Sequence, residues 1–180
     1  MTDDTALLAA LAAIQVRGAI GEASLHAAIA HAEQFVAALP SWVHSVADLG
    51  SGGGLPGLVI AVRRPELSIS LVERRRSRAD LLSRAVRALG VSERVTVVAD
   101  DVRRLAEDHP HAFDAVTARS FAAPPITAKW AGALLRTGGI LVVSEPPADE
   151  QDRWPQALLA TCGLADQGRE QGVRCFLRTA

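Results

Sequence analysis

An α/β fold, with a mostly parallel sheet, an antiparallel C-terminal edge strand and helices on both faces, is predicted by three observations. From Trp42 onward, short apolar runs alternate with helical stretches, the pattern of successive strand-helix units around a parallel sheet. The apolar run 43–49 leads directly into Gly50-Ser51-Gly52-Gly53-Gly54 and then into a helical stretch. That is the strand-turn-helix context of a ligand-binding turn in Rossmann-like folds. The tail 164–178 holds two extended runs about residues 168–172, which reads as a closing hairpin.

The elements follow in order. Residues 1–40 form an N-terminal helical extension and 41–180 a single ligand-binding domain. Residues 5–39 are rich in alanine and leucine but interrupted at Arg17-Gly18-Ala19-Ile20-Gly21, so two helices are expected, the second over 23–39, with Pro40 closing it. The first strand is 43–49, followed by the glycine turn and a helix over 55–63 that Pro65 ends. The second strand, 68–72, is closed by Glu73. The helix 77–89 places Leu82, Ala85, Val86 and Leu89 on one face, with Arg84 and Arg87 off it, and Gly90 is its natural stop. Strands at 95–99, 113–117 and 140–143 complete the parallel set. A helix begins near Val102, another covers 126–135, and Thr137-Gly138-Gly139 reads as a turn before the last of these strands.

With 180 residues, 49% of them hydrophobic and 22% charged, the chain can bury one sizeable core but not two. No apolar run approaches the roughly 20 residues of a membrane span. The start, Met1-Thr2-Asp3-Asp4, is acidic where a secretory signal is basic, so no membrane role and a cytoplasmic protein are expected. Cys162 and Cys175 lack metal-ligand spacing, and no metal is expected; they read as reduced packing residues that could face each other across the hairpin. The net charge of −1 hides an imbalance: residues 63–104 carry eleven arginines against six acids. Such a basic face can meet phosphates, although the overall charge would not hold a duplex by electrostatics alone.

The glycine loop carries the chemistry. Spaced glycines at 50, 52 and 54 let backbone approach a ligand, but phosphate cradles use them too. Charge separates the readings: Asp48, just before the turn, suits the cationic α-ammonium of S-adenosylmethionine and would repel a pyrophosphate. No Gly-Lys-Ser/Thr ending supports a nucleoside triphosphate. The candidate cofactor contacts in this loop are Asp48, Gly50, Ser51, Gly52, Gly54 and Leu55; a purely structural turn is the alternative.

Glu73 lies 25 residues after Asp48, about the offset at which an acid takes both ribose hydroxyls, and Arg74 follows it. After the third strand, Asp100, Asp101 and Val102 stand where the adenine edge would lie. The two aspartates read equally as an N-cap pair, and which of them points inward is open. Arg119, after the fourth strand, sits at the carboxyl edge of the sheet, placed to pair with a cofactor carboxylate or a substrate phosphate; a surface ion pair is the alternative. His44, His109 and His111 read as structural or solvated.

These residues resemble the glucose-inhibited division protein B family, class I methyltransferases that modify N7 of a guanine in 16S, small-subunit, ribosomal RNA. The likeness is densest in Asp48-Leu49-Gly50-Ser51-Gly52-Gly53-Gly54-Leu55-Pro56-Gly57. It continues through Leu71-Val72-Glu73 and Val116-Thr117-Ala118-Arg119-Ser120-Phe121-Ala122, over roughly 40–145. It implies S-adenosylmethionine as cofactor, contacts at Gly50, Gly52 and Glu73, Arg119 as the active-site arginine, and ribosomal RNA or the small subunit as partner. The chain departs from the family pattern in two places. Asp100-Asp101-Val102-Arg103 replaces an arginine, a small residue and a glutamate. Ser144-Glu145-Pro146-Pro147 stands where Lys-Gly is usual, which exchanges attraction for repulsion of an RNA phosphate. The N-terminal helical region is also shorter than usual. A paralogue acting on a small molecule or another acceptor, and a non-catalytic module keeping the fold, are the alternatives.

Overall fold

The computed structural model describes residues 4–22, 24–146 and 152–180. Its strands are β1 (Ser45–Leu49), β2 (Ser68–Val72), β3 (Val95–Val98), β4 (Phe113–Ala118), β5 (Leu135–Ser144), β6 (Leu164–Glu170) and β7 (Val173–Arg178). The helices are α1 (Asp4–Gln15), α2 (Leu25–Ala38), α3 (Gly57–Arg63), α4 (Arg76–Ala88), α5 (Val102–Asp108), α6 (Pro124–Leu134) and α7 (Gln156–Thr161). The strands form one sheet in the order β3-β2-β1-β4-β5-β7-β6. The first five are parallel and β7 is antiparallel to both neighbours, as the sequence predicts.

Side-chain alternation divides the core. Val46, Ile69, Leu71, Ala115 and Val142 face the cluster that contains α1, α2, α3 and α4. Their neighbours Ala47, Leu49, Val72, Val116 and Leu141 face the cluster of α5, α6 and α7. Period-two strands covered by helices on both faces leave the central strands dry throughout. The amphipathic face expected for α4 is present: Leu82, Ala85 and Val86 are buried, Leu89 is packed at the margin, and Arg84 and Arg87 are exposed. Leu7, Ala10, Leu11 and Ile14 of α1 are buried in the same cluster.

Several boundaries differ from expectation. β1 begins at Ser45 because the amides of His44 and Ser45 donate to the Asp114 carboxylate (2.9 and 3.0 Å) instead of to a neighbouring strand. α3 begins at Gly57, since residues 51–56 are still turning. β5 begins at Leu135, so Gly138-Gly139 is a bulge inside a strand and not a turn before one. The register slips there between Phe113↔Leu135 and Ala115↔Ile140, and Gly138 takes φ +77°, a conformation that relieves the extra residue. The short helix α7 is an addition to the elements that the sequence predicts. Residue 23, the expected start of the second helix, lies outside the described residues, as do 1–3 and Pro147. Cys162 and Cys175 are free. They do not face each other: Cys162 caps α7, and Cys175 pairs with Gly168 and Val142.

Candidate functional site

Strand order reverses between β1 and β4, and the crevice at such a switch point, beyond the carboxyl ends of the strands, is where open α/β sheets bind ligands. The glycine loop leaves β1 there. Ser51 N–H donates to the Val72 carbonyl (2.9 Å), which ties the loop to β2, and Ser51 Oγ–H donates to Asp48 O (2.9 Å). Gly50 takes φ +63° and Gly52 φ +53°. A side chain at either position would be strained, and at Gly50 a Cβ would lie 2.8 Å from the Phe121 ring.

Glu73, 5% exposed at the end of β2, reaches back to the loop. Its Oε2 accepts from Gly52 N–H (3.0 Å) and its Oε1 from Arg75 N–H (2.8 Å). Both oxygens retain a second lone pair, so the carboxylate can orient the loop and still accept from a ligand. A cavity of about 410 Å³ opens beside it, and its walls include Gly50, Glu73, Arg74, Asp100, Asp101 and Val102. Phe121, Ile126 and Trp130 add apolar area. Asp101 caps α5, accepting from Arg103 N–H (2.9 Å), while Asp100 accepts from Asp101 N–H (2.7 Å); the N-cap reading therefore holds for Asp101. A smaller hollow of about 240 Å³ joins Gly50, Ser51, Gly52, Leu55 and Arg119 with Ala19 and Ile20 from the α1–α2 connection.

Of the candidate contacts, only Asp48 and Gly54 line neither space. Gly54 packs against Leu58. Asp48 shares the sheet face of Val46, so it turns beneath the loop toward α3 and is 1% exposed. Its Oδ1 accepts from the Thr117 hydroxyl (2.7 Å), its register partner on β4. Its Oδ2 lies against Gly57, whose amide helps hold the charge without completing a hydrogen bond. Burial pushes the Asp48 carboxyl up to about 6, against the opposing pull of Thr117, Ser51, Gly57 and the Arg119 charge. Arg119 is half-buried, and Nη1 has no partner among the described residues. Burial lowers its basicity and the Asp48 charge restores part of it.

A third cavity, about 510 Å³, lies across Ser120-Phe121-Ala122 from the first. His31, Arg119, Thr127, Ser144, Glu145 and Arg153 are among its walls. Ser120 takes φ +53°, strain of the kind that collects at ligand sites. His31 Nδ1 is buried without a partner among the described residues, and burial together with the Arg119 charge lowers its pKa. Glu145 is held by the Trp154 indole N–H (2.8 Å) and by Arg153 at 3.6 Å. The expected repulsion of phosphate by Glu145 is therefore offset by an adjacent cation. Sequence reasoning missed His31, Arg153 and Trp154, which arrive from α2 and from the segment before α7 with no local motif. Of the three histidines noted from sequence, His111 bonds the Leu135 carbonyl (3.0 Å), and none lines these cavities.

Beside the first cavity, Arg17, Arg78 and Arg84 line another space of about 380 Å³, with Asp80. Arg78 belongs to both. Arg63, Arg64, Arg104, Arg136 and Arg174 each hold a carboxylate; Arg17, Arg74, Arg75, Arg76, Arg78 and Arg84 hold none among the described residues. Among those residues, too, no helix is long and apolar enough to cross a membrane, and no cluster of three His, Cys, Asp or Glu could bind a metal.

Residues 25–160 match the family model described as rRNA small subunit methyltransferase G. The ribosomal RNA small subunit methyltransferase G of Acidiphilium cryptum is 41% identical over 107 residues, covering 59% of this chain and 47% of the relative. That of Mycobacterium avium is 36% identical over 128 residues, covering 67% and 49%. The chain thus spans about half the length of these curated relatives. Among solved structures, cofactor-bound Rv0187 from MTB superposes with TM-score 0.68 at 21% identity, covering 98% of this chain and 90% of the other. An O-methyltransferase family protein from Burkholderia thailandensis gives 0.66 at 16% identity, covering 86% and 58%. At such identity these structures establish the fold.

Proposed function

We propose a function for this chain from the premise that it belongs to the rRNA small subunit methyltransferase G family: it is an S-adenosylmethionine-dependent methyltransferase acting on guanine N7 of small-subunit, 16S, ribosomal RNA. The observation that carries the reading is the pairing of the Glu73 carboxylate with the Gly52 amide at the edge of a 410 Å³ cavity. Residues 1–40 are the helical extension in this reading and 41–180 the cofactor-binding domain; the extension supplies Ala19 and Ile20 to the hollow at the glycine loop.

The residues fit S-adenosylmethionine. The loop at Gly52 is bare backbone, where a Cβ would meet nothing nearer than 3.6 Å, and Asp48 and Arg119 each keep a buried polar atom without a partner beside it. Glu73 would accept from the ribose hydroxyls. Gly50, Ser51, Gly52 and Leu55 would enclose the amino-acid portion, and Arg119 would meet its carboxylate. Asp48, beneath the loop, would act on the ammonium through water. Asp100, Asp101, Val102 and Arg74 would border the adenine. When bound, the cofactor supplies a methyl group on a cationic sulfur.

A guanine N7 brings its own lone pair, so no side chain has to remove a proton. The chain's task is to align the two reactants and exclude water, which makes positioning the main source of rate. Arg17, Arg74, Arg75, Arg76, Arg78 and Arg84, which hold no carboxylate among the described residues, would meet RNA phosphates around the cleft. Purified chain, labelled cofactor and small ribosomal subunits test the proposal. Label should appear at a guanine of the small-subunit RNA; cofactor binding without incorporation would exclude this acceptor.

A further inference from the structure

We propose that the 510 Å³ cavity is the acceptor subsite and that Glu145 selects its occupant, accepting hydrogen bonds from the paired N–H edge of a planar heteroaromatic ring such as guanine. The inference rests on the methyltransferase reading above and adds a specificity-determining residue to it.

Glu145 is fixed in place. Its side chain is 8% exposed. Oε1 accepts from the Trp154 indole (2.8 Å) and lies 3.6 Å from Arg153 Nη1. Its backbone N–H donates to the Gly172 carbonyl (2.9 Å), and Trp154 is itself anchored on Phe176, ring centroids 4.7 Å apart. Oε2 takes no partner among the described residues. A largely buried carboxylate that lines a cavity with one oxygen pinned and the other unpaired among the described residues is a preorganised acceptor, and holding it there takes nothing further from the ligand.

Arg119 forms another part of the wall, with Nη1 buried and unpartnered. It also lines the hollow at the glycine loop. Acceptors and donors are thus distributed around one space, with Glu145 in one part and Arg119 in the part shared with the glycine-loop hollow. Guanine has the complementary arrangement: N1–H and the 2-amino group on one edge, O6 and N7 on another. With its donor edge on Glu145, its acceptor edge turns to Arg119 and the methyl source.

Chain saturated with S-adenosylhomocysteine is titrated with guanosine and inosine 5′-monophosphates and followed by saturation-transfer NMR. The phosphates are common to both, and inosine lacks only the 2-amino group. Guanosine monophosphate should bind about tenfold tighter, because inosine leaves a buried acceptor unpaired. Glu145→Gln, which keeps the Trp154 contact, should abolish the difference without changing affinity for S-adenosylhomocysteine. Equal binding of the two nucleotides, no binding of guanosine monophosphate, or tighter guanosine monophosphate binding by Glu145→Lys would overturn the proposal. Discrimination between the nucleotides with unlabelled small subunits would leave the subsite standing and remove the ribosomal reading.

Discussion

Replacing Asp48 by asparagine should stabilise the ligand-free protein at neutral pH and flatten its pH dependence. The carboxylate is 1% exposed, with one oxygen on Thr117 and the other without a partner, and burial raises it from 3.8 to about 6. In the unfolded chain it ionises at its ordinary value. The folded form therefore holds the proton more tightly between those limits, and stability falls as pH rises through that window. At about 1.4 kcal/mol per pH unit the loss amounts to about 3 kcal/mol above pH 6. Asparagine keeps the shape, can donate its amide to the Thr117 hydroxyl, and carries no charge to bury. Asp114 and Asp166 have lowered pKa values: at Asp114 burial pushes upward but is outweighed by the hydrogen bonds from Arg136, His44 and Ser45 taken together, and Asp166 is held down chiefly by its hydrogen bond from Arg174. Their contribution is lost as pH falls, in the opposite sense, and is common to both proteins. The difference between wild type and Asp48→Asn isolates the one group. Urea unfolding at about pH 4 and about pH 8 should show the variant gaining on wild type by about 2–3 kcal/mol across the interval. Parallel curves would mean that water reaches Asp48 and that the buried-charge account is wrong.

Two further outcomes follow from the same structure. Turnover on small subunits should fall steeply with salt, and Arg78→Ala or Arg84→Ala should each lower the slope of log KM against log salt by about 1; turnover indifferent to salt would favour a small acceptor. Gly53→Ala should destabilise the chain by about 1–3 kcal/mol in thermal melts, since its Cβ would overlap Ile20 and lie 2.8 Å from the Ala19 carbonyl. An unchanged melt would show that the α1–α2 connection does not rest on the loop.

Much of this architecture is legible in the amino-acid sequence. β2 and the apolar face of α4 were legible because alternation and 3.6-residue spacing are local properties of the chain. The ten-residue β5 was not, because Gly138-Gly139 has the composition of a turn whether it ends a strand or bulges one, and only pairing with β4 decides. α7 was missed because six residues offer too little periodicity. In the site, Glu73 and the glycine loop were legible from spacing. The inward turn of Asp48 needed the β1–β4 register, which sets Thr117 opposite it. His31, Arg153 and Trp154 reach the third cavity from elements far apart in the chain, so their convergence is a product of topology.

Methyl transfer by this chain requires a cleft that accepts an adenosine-linked amino acid with Glu73 on its ribose. Calorimetric titration of wild type and Glu73→Ala with S-adenosylhomocysteine measures this directly. Wild type should saturate at one ligand per chain, and the variant should bind about 1–3 kcal/mol more weakly, roughly 5- to 150-fold. No heat of binding in the wild type, or equal affinity in the two proteins, would contradict it.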